Sequence, residues 1–315
     1  MALMQPAGPA AKTRWWSAQP ARADTPRISA RRAYAEVLLV FGVFFSGGLV
    51  YAAFIVTGHS LPSGIHGWTE AVPSSFQEVS TTILCILVPL LLVRRRGLGP
   101  ADLGIVKPTS VGLSQCIRMA AWAVLAFMVG GVVTSRLATA NLPAPASYPA
   151  LTLNLFHAAQ AGFIEEIVVL AFVVVTLEQA RRPRPEIIAV AVLLRASYHI
   201  YYGPGVLGIF IWASVFLWLY LRFRTIVPLI VVHSGWDIII YLADRWGAVS
   251  GVAFLGFLAL FITAFVLWLV DRSNRAKAEP RPMVAAPGWY LDPGGGGGLR
   301  WFNGWAWTPF AHPPP

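Results

Sequence analysis

Charge is scarce in this sequence. Only 12% of its 315 residues are charged and 57% are hydrophobic, where soluble domains run at about 25% and about 45–50%. With a mean hydropathy of +0.63, too few ionic side chains remain to coat a water-exposed surface. A soluble two-domain protein, which the length alone would allow, is thereby excluded. Cysteine is nearly absent as well. Cys85 and Cys116 are the only two, and both lie within apolar runs. That excludes a disulfide framework and a thiolate metal site. No short apolar region with a small-residue cleavage site follows the N-terminus, so a removed signal peptide is not expected.

Long apolar runs are what the sequence has instead. Eight occur, at about 36–57, 71–93, 113–134, 151–178, 186–203, 206–221, 226–243 and 249–270. A membrane-crossing helix takes roughly 20 residues at about 1.5 Å each. The fifth and sixth runs are shortened by the break at Gly203-Pro204-Gly205. The predicted fold class is all-α, a polytopic transmembrane bundle of about eight spans occupying 36–271. A polar arm at 1–35, carrying Trp15 and Trp16, precedes it; a linker at 272–285 and a tail at 286–311 follow.

The net charge of +10 has a topological reading. Of the 24 Lys and Arg residues, 20 fall in the N-terminal arm, the second, fourth and sixth loops and the tail. Only Arg136 and Arg245 fall in the alternate loops, while Arg118 and Arg195 lie within spans. By the positive-inside rule both termini are cytoplasmic. The basic excess then implies no nucleic-acid partner.

The tail, PGWYLDPGGGGGLRWFNGWAWTPF, carries four tryptophans. Its glycine run follows no strand and precedes no Lys-Ser/Thr, so it does not read as a phosphate loop. A tight turn between two short aromatic strands is predicted.

Acids within the apolar spans are the exceptions that point to a site. Glu165, Glu166 and Asp237 lie inside spans, and Glu78 lies near the start of another. Each costs at least about 2.5–3.5 kcal/mol on insertion scales, so an intramembrane acid is a functional candidate by default. The bland reading is a buried pair that only fixes helix packing. The fourth span places Glu165 and Glu166 about 100° apart on a helix, one facing a cavity and the other a neighbouring helix. The fifth places Arg195 and His199 at i, i+4, and the seventh places His233 and Asp237 likewise. Helical rise puts Glu165 and His199 roughly 20 Å deep, His233 roughly 10 Å and Asp237 roughly 17 Å. A single site across three helices is permitted by this arithmetic, with His233 the loosest match.

These residues resemble the three motifs of the CPBP intramembrane protease family, which includes CAAX prenyl endopeptidases and bacteriocin self-immunity proteins. The family pattern is EExxxR, then FxxxH, then HxxxN/D. Glu165-Glu166, His199 and His233 with Asp237 match it, over about 150–243. Two positions depart: Leu170 stands where the motif has Arg, and Arg195 stands where it has Phe. The basic group is read as having moved helices, so that Arg195 pairs with the glutamates. The alternative is a non-catalytic relative. The tail resembles a short actinobacterial domain of unknown function through Gly288, Trp289, Tyr290, Asp292, Pro293, Arg300, Trp301, Gly304, Trp307 and Thr308; Phe302 and Asn303 depart. That resemblance implies an actinobacterial plasma membrane and a small interaction module with a protein partner.

The family resemblance implies an intramembrane endopeptidase acting on a membrane protein or peptide. Glu165 would be the general base and His199 would orient the water. His233 and Asp237 would face the oxyanion, and Glu166 would partner Arg195. Apolar surroundings strengthen a carboxylate as a base and a donor as an oxyanion stabiliser. Glu with two His could instead hold a divalent metal such as zinc, leaving one position for water. The HExxH signature is absent, and the sequence does not decide between the two. A non-enzymatic scaffold or immunity-type protein acting through its Trp-rich tail is the second reading. A proton-relaying transporter is the third, disfavoured because no inverted repeat is visible.

Overall fold

A computed structural model of the protein describes residues 27–59, 74–106, 112–139, 151–278, 286, 288–294, 298–302 and 307–312. Most of the expected N-terminal arm, Lys107, most of the expected linker, Gly295 to Gly297, Asn303 and Gly304 lie outside them. The chain divides into two compact units, Met1–Ala264 and Phe265–Pro315.

All eight apolar runs are helical. They form α1 (Ala30–Val56), α2 (Ser74–Arg94), α3 (Leu113–Leu137) and α4 (Leu151–Ile164). The last continues through a π-helical segment, Glu165–Phe172, into α5 (Val173–Gln179). Then come α6 (Arg184–Ser197), a 3-10 segment at Ile200–Gly205, α7 (Val206–Phe223), α8 (Val227–Arg245) and α9 (Ala248–Ala278). Six of these helical stretches are long and apolar enough to cross a membrane. About eight spans were expected, and α2 and α6 are the two helices of the apolar runs outside this set. The second run forms α2, a helix of 21 residues, of which Val79–Arg94 is an apolar stretch, and α6 has 14 residues, roughly 21 Å of rise. The chain is a multi-pass membrane protein.

Helix limits follow from local chemistry. The Ser29 side chain accepts a hydrogen bond from the Arg32 N–H at 3.2 Å and caps α1. That starts the helix at Ala30, ahead of the expected 36. In the last span, α9 runs past 271 to Ala278, because Arg and Lys are good helix formers and reach toward headgroups from a span's end.

Lipid tails are as apolar as leucine, so close packing and polar contacts hold such a bundle together. The closest approaches occur at small residues. α3 crosses α7 at Gly130 and Gly208, where a Cβ on Gly208 would stand 2.1 Å from the Gly130 carbonyl oxygen. α4 meets α8 at Gly162, where a Cβ would stand 2.3 Å from Ser234 Oγ. The Ser234 hydroxyl donates to the Ala159 carbonyl at 2.7 Å and pins the same crossing. Gly162→Ala is therefore expected to lower stability by about 1–3 kcal/mol. Gly47→Ala, which meets nothing within 4 Å, should stay within about 0.5 kcal/mol of the parent. Thermal unfolding in detergent distinguishes the two.

The loops that carry the basic residues converge at one end. Arg96 Nη2 pairs with Glu36 Oε2 at 3.0 Å, and Arg96 Nη1 donates to Gln179 Oε1 at 2.7 Å. Arg224 pairs with Glu178, the Ile226 N–H donates to the Gly104 carbonyl, and the Tyr34 hydroxyl donates to Glu186. The second, fourth and sixth loops thus share a face, as the orientation rule expects of loops on one side.

The tail forms a sheet of three strands in order β1 (Gly288–Leu291), β2 (Leu299–Phe302) and β3 (Trp307–His312). β1 and β2 pair antiparallel, Trp289 opposite Trp301 and Tyr290 opposite Arg300. The third strand was not expected from sequence. Asp292 accounts for the Asp-Pro-Gly signature: Oδ1 accepts the Gly294 N–H at 2.9 Å and Oδ2 pairs with Arg300 at 3.0 Å. The carboxylate closes its own turn and ties the two strands together.

Candidate active site

The fourth helical stretch changes pitch at the acids. Glu165–Phe172 is π-helical, and every residue from Glu166 to Phe172 is buried. π segments are rare and favour functional sites. Their wider turn reduces the angle between successive side chains. Both carboxylates reach the same guanidinium, yet they differ in exposure, Glu165 being 12% exposed and Glu166 buried. Arg195 Nη1 stands 2.8 Å from Glu166 Oε1 and 3.1 Å from Glu165 Oε2. Its Nη2 donates to the Glu165 carbonyl at 3.0 Å. Arg195 is 2% exposed and Glu166 is wholly buried. The guanidinium also lies over the Trp212 ring, 4.9 Å from its centroid, which shields the ion pairs from lipid and water.

His233 is brought to the same cluster by α8. Its Nδ1 lies 2.7 Å from Glu166 Oε1; an ionised carboxylate only accepts, so Nδ1 carries the proton. Its Nε2 faces Asp237 Oδ2 at 3.7 Å and Glu165 Oε2 at 4.0 Å. Phe127, Trp212 and Phe216 surround the ring at centroid distances of 5.1, 5.3 and 6.1 Å. The depth mismatch expected for His233 is closed by its contact with Glu166.

His199 sits where α6 ends and the 3-10 segment begins. Its Nδ1 donates to the Arg195 carbonyl at 2.9 Å. In the neutral ring this leaves Nε2 as an acceptor. Tyr202 stacks on it at 6.0 Å, 9° from parallel, and it interacts electrostatically with Glu165 and His233. A third of the Asp237 side chain is exposed. Glu165 is 12% exposed, so the two acids nearest the opening are Glu165 and Asp237.

Other polar groups on α4 were missed from sequence. Asn154 and Gln160 are buried on α4, and His157 interacts electrostatically with Asp237. Their spacing of three on an apolar helix was a readable signal. The aromatic enclosure of His233 was not readable, because an aromatic stripe has the same spacing as ordinary core.

Among the described residues, no three His, Cys, Asp or Glu side chains are grouped so as to hold a metal ion. The donor chemistry agrees: both glutamates of the pair already bind a buried cation, Arg195. As placed, these residues do not fit a zinc site.

No curated protein and no solved structure matches the chain. Residues 287–315 match a family described as a protein of unknown function, DUF2510. Over residues 147–239, which hold all six clustered side chains, the bundle matches the type II CAAX prenyl endopeptidase Rce1-like family, consistent with the CPBP pattern of its three motifs.

Proposed function

We propose that the protein is an intramembrane endopeptidase that hydrolyses a peptide bond of a membrane-associated protein or peptide. The observation that carries this reading is the clustering of five polar side chains with one buried arginine, drawn from three helical stretches. In an apolar bundle, retaining all six without a task would be costly.

The chemistry follows from the placement. Glu165, the more open carboxylate of the pair, accepts a proton from water. The neutral His199 ring, held by the Arg195 carbonyl, offers Nε2 to the second hydrogen of that water and orients its lone pair. The hydroxide oxygen bonds to the scissile carbonyl carbon, and the carbonyl electrons move onto oxygen. In its imidazolium form His233 donates from Nε2 to that oxyanion, a contribution largest where water is scarce. Glu165 then gives its proton to the departing amine as the C–N bond breaks. Glu166 touches no substrate in this scheme; it fixes His233 through Nδ1 and balances Arg195. No step runs through a metal.

The family's name supplies a substrate class to test, prenylated peptides ending in a CAAX sequence. His199→Ala and His233→Ala are each expected to reduce cleavage about 10²-fold or more in a correctly inserted protein. The readout is cleavage of an internally quenched peptide in proteoliposomes. Wild-type cleavage by both variants would take the hydrolysis away from this cluster; no cleavage by the wild type itself would favour a scaffold role.

A further inference from the structure

Tyr198 lies immediately before His199, at the C-cap of α6, with φ −88° and ψ 2°. These angles belong to the sparsely used bridge region, where many active-site residues sit. The side chain is 7% exposed. Its ring is clamped by Phe45 at 4.5 Å and Phe41 at 6.1 Å, both from α1. The apolar body is therefore fixed from outside the site, while the hydroxyl points into it. That hydroxyl is buried and makes no hydrogen bond of good geometry. Its ring lies 4.4 Å from that of His199, and it interacts electrostatically with Glu165, Arg195 and Glu166.

Buried hydroxyls without a well-formed bond are unusual and call for an explanation. Stability does not supply one, because phenylalanine would fill the same space without an unsatisfied polar group. Catalytic hydrogen bonds, by contrast, are often long or misaligned in the free enzyme and tighten only when substrate is engaged.

We propose that Tyr198 is a positioning residue for the hydrolysis: its hydroxyl holds the Glu165 carboxylate in the orientation that receives the proton from water. Arg195 fixes one side of that carboxylate from α6, and Tyr198 fixes another from the helix break, braced on α1. The inference rests on the reading of Glu165 as the base.

Tyr198→Phe removes only the oxygen. With an internally quenched farnesylated peptide ending in Cys-aliphatic-aliphatic-Xaa, in proteoliposomes, kcat is expected to fall at least tenfold. KM should stay within about twofold and the thermal midpoint should not fall. A second measurement needs no turnover. The infrared carboxylate band that Glu165→Gln removes is expected to shift in Tyr198→Phe. An unshifted band, an unchanged kcat or a lowered thermal midpoint would each overturn the assignment, the last by making the hydroxyl a stability group. Glu165→Gln in the same assay separates the two claims. If it abolishes cleavage while Tyr198→Phe retains full kcat, only the Tyr198 inference fails. If Glu165→Gln itself cleaves normally, the reading of Glu165 as the base fails, and the Tyr198 inference falls with it.

Discussion

Glu165→Gln is expected to lower peptide cleavage by about 10²–10⁴-fold, the range that loss of a positioned general base produces. Folding should survive this change. Glutamine keeps the shape of the side chain, and Arg195 retains Glu166 at 2.8 Å. The rate loss should then appear in kcat, with expression and thermal midpoint close to wild type. Glu166→Gln makes the useful contrast. That carboxylate is fully buried, with Oε1 shared between Arg195 and His233. Its neutralisation is expected to lower stability as well as rate. A Glu165→Gln protein that cleaves at the wild-type rate would show that the base lies elsewhere.

Arg195→Leu has the largest expected effect on the fold. It would leave Glu166 buried with His233 as its remaining partner, and Glu165 beside it without a counter-charge. Breaking a buried pair by removing one partner costs about 3–5 kcal/mol, and the contact with Trp212 is lost too. In a bundle of this size that amounts to roughly 10 °C in thermal midpoint. The sequence suggests a compensating change. In the π-helical segment residue 170 lies five after Glu165, so the i→i+5 ladder stacks it on the acid's own face. Adding Leu170→Arg to Arg195→Leu is expected to restore at least half of the lost stability, measured by thermal unfolding in detergent. No recovery in the double variant would mean that the guanidinium can act only from α6.

The spans and the six polar residues were legible because both rest on one constraint, the cost of charge in hydrocarbon. Glu165, Glu166, Arg195 and Asp237 stand out in apolar runs whatever their neighbours are. Pairing of Arg195 with the glutamates was foreseeable for the same reason. The sharing of one guanidinium nitrogen by both acids was not, since a regular α-helix holds successive side chains about 100° apart and no residue type marks a π segment. The shortness of α6 was hinted at by the Gly203-Pro204-Gly205 break, but the sequence alone did not separate a full span from a helix that ends at the site. Tyr198 passed unnoticed because a buried tyrosine in an apolar run reads as core, and only the position of its hydroxyl says otherwise. In the tail, the hairpin was readable from its turn residues. The third strand was not, because Pro309 falls within Trp307–His312 and a proline inside a run argues against a strand.

A scaffold acting through its Trp-rich sheet differs from a peptidase in what it does to other proteins. The direct measurement is mapping of new protein N-termini in bacterial membrane vesicles fused with proteoliposomes of the purified protein, wild type against Glu165→Gln. The account predicts a set of cleavages within or beside transmembrane segments that appears with the wild type and is absent with the variant. The same cleavage set from both proteins, or none from either, would contradict it.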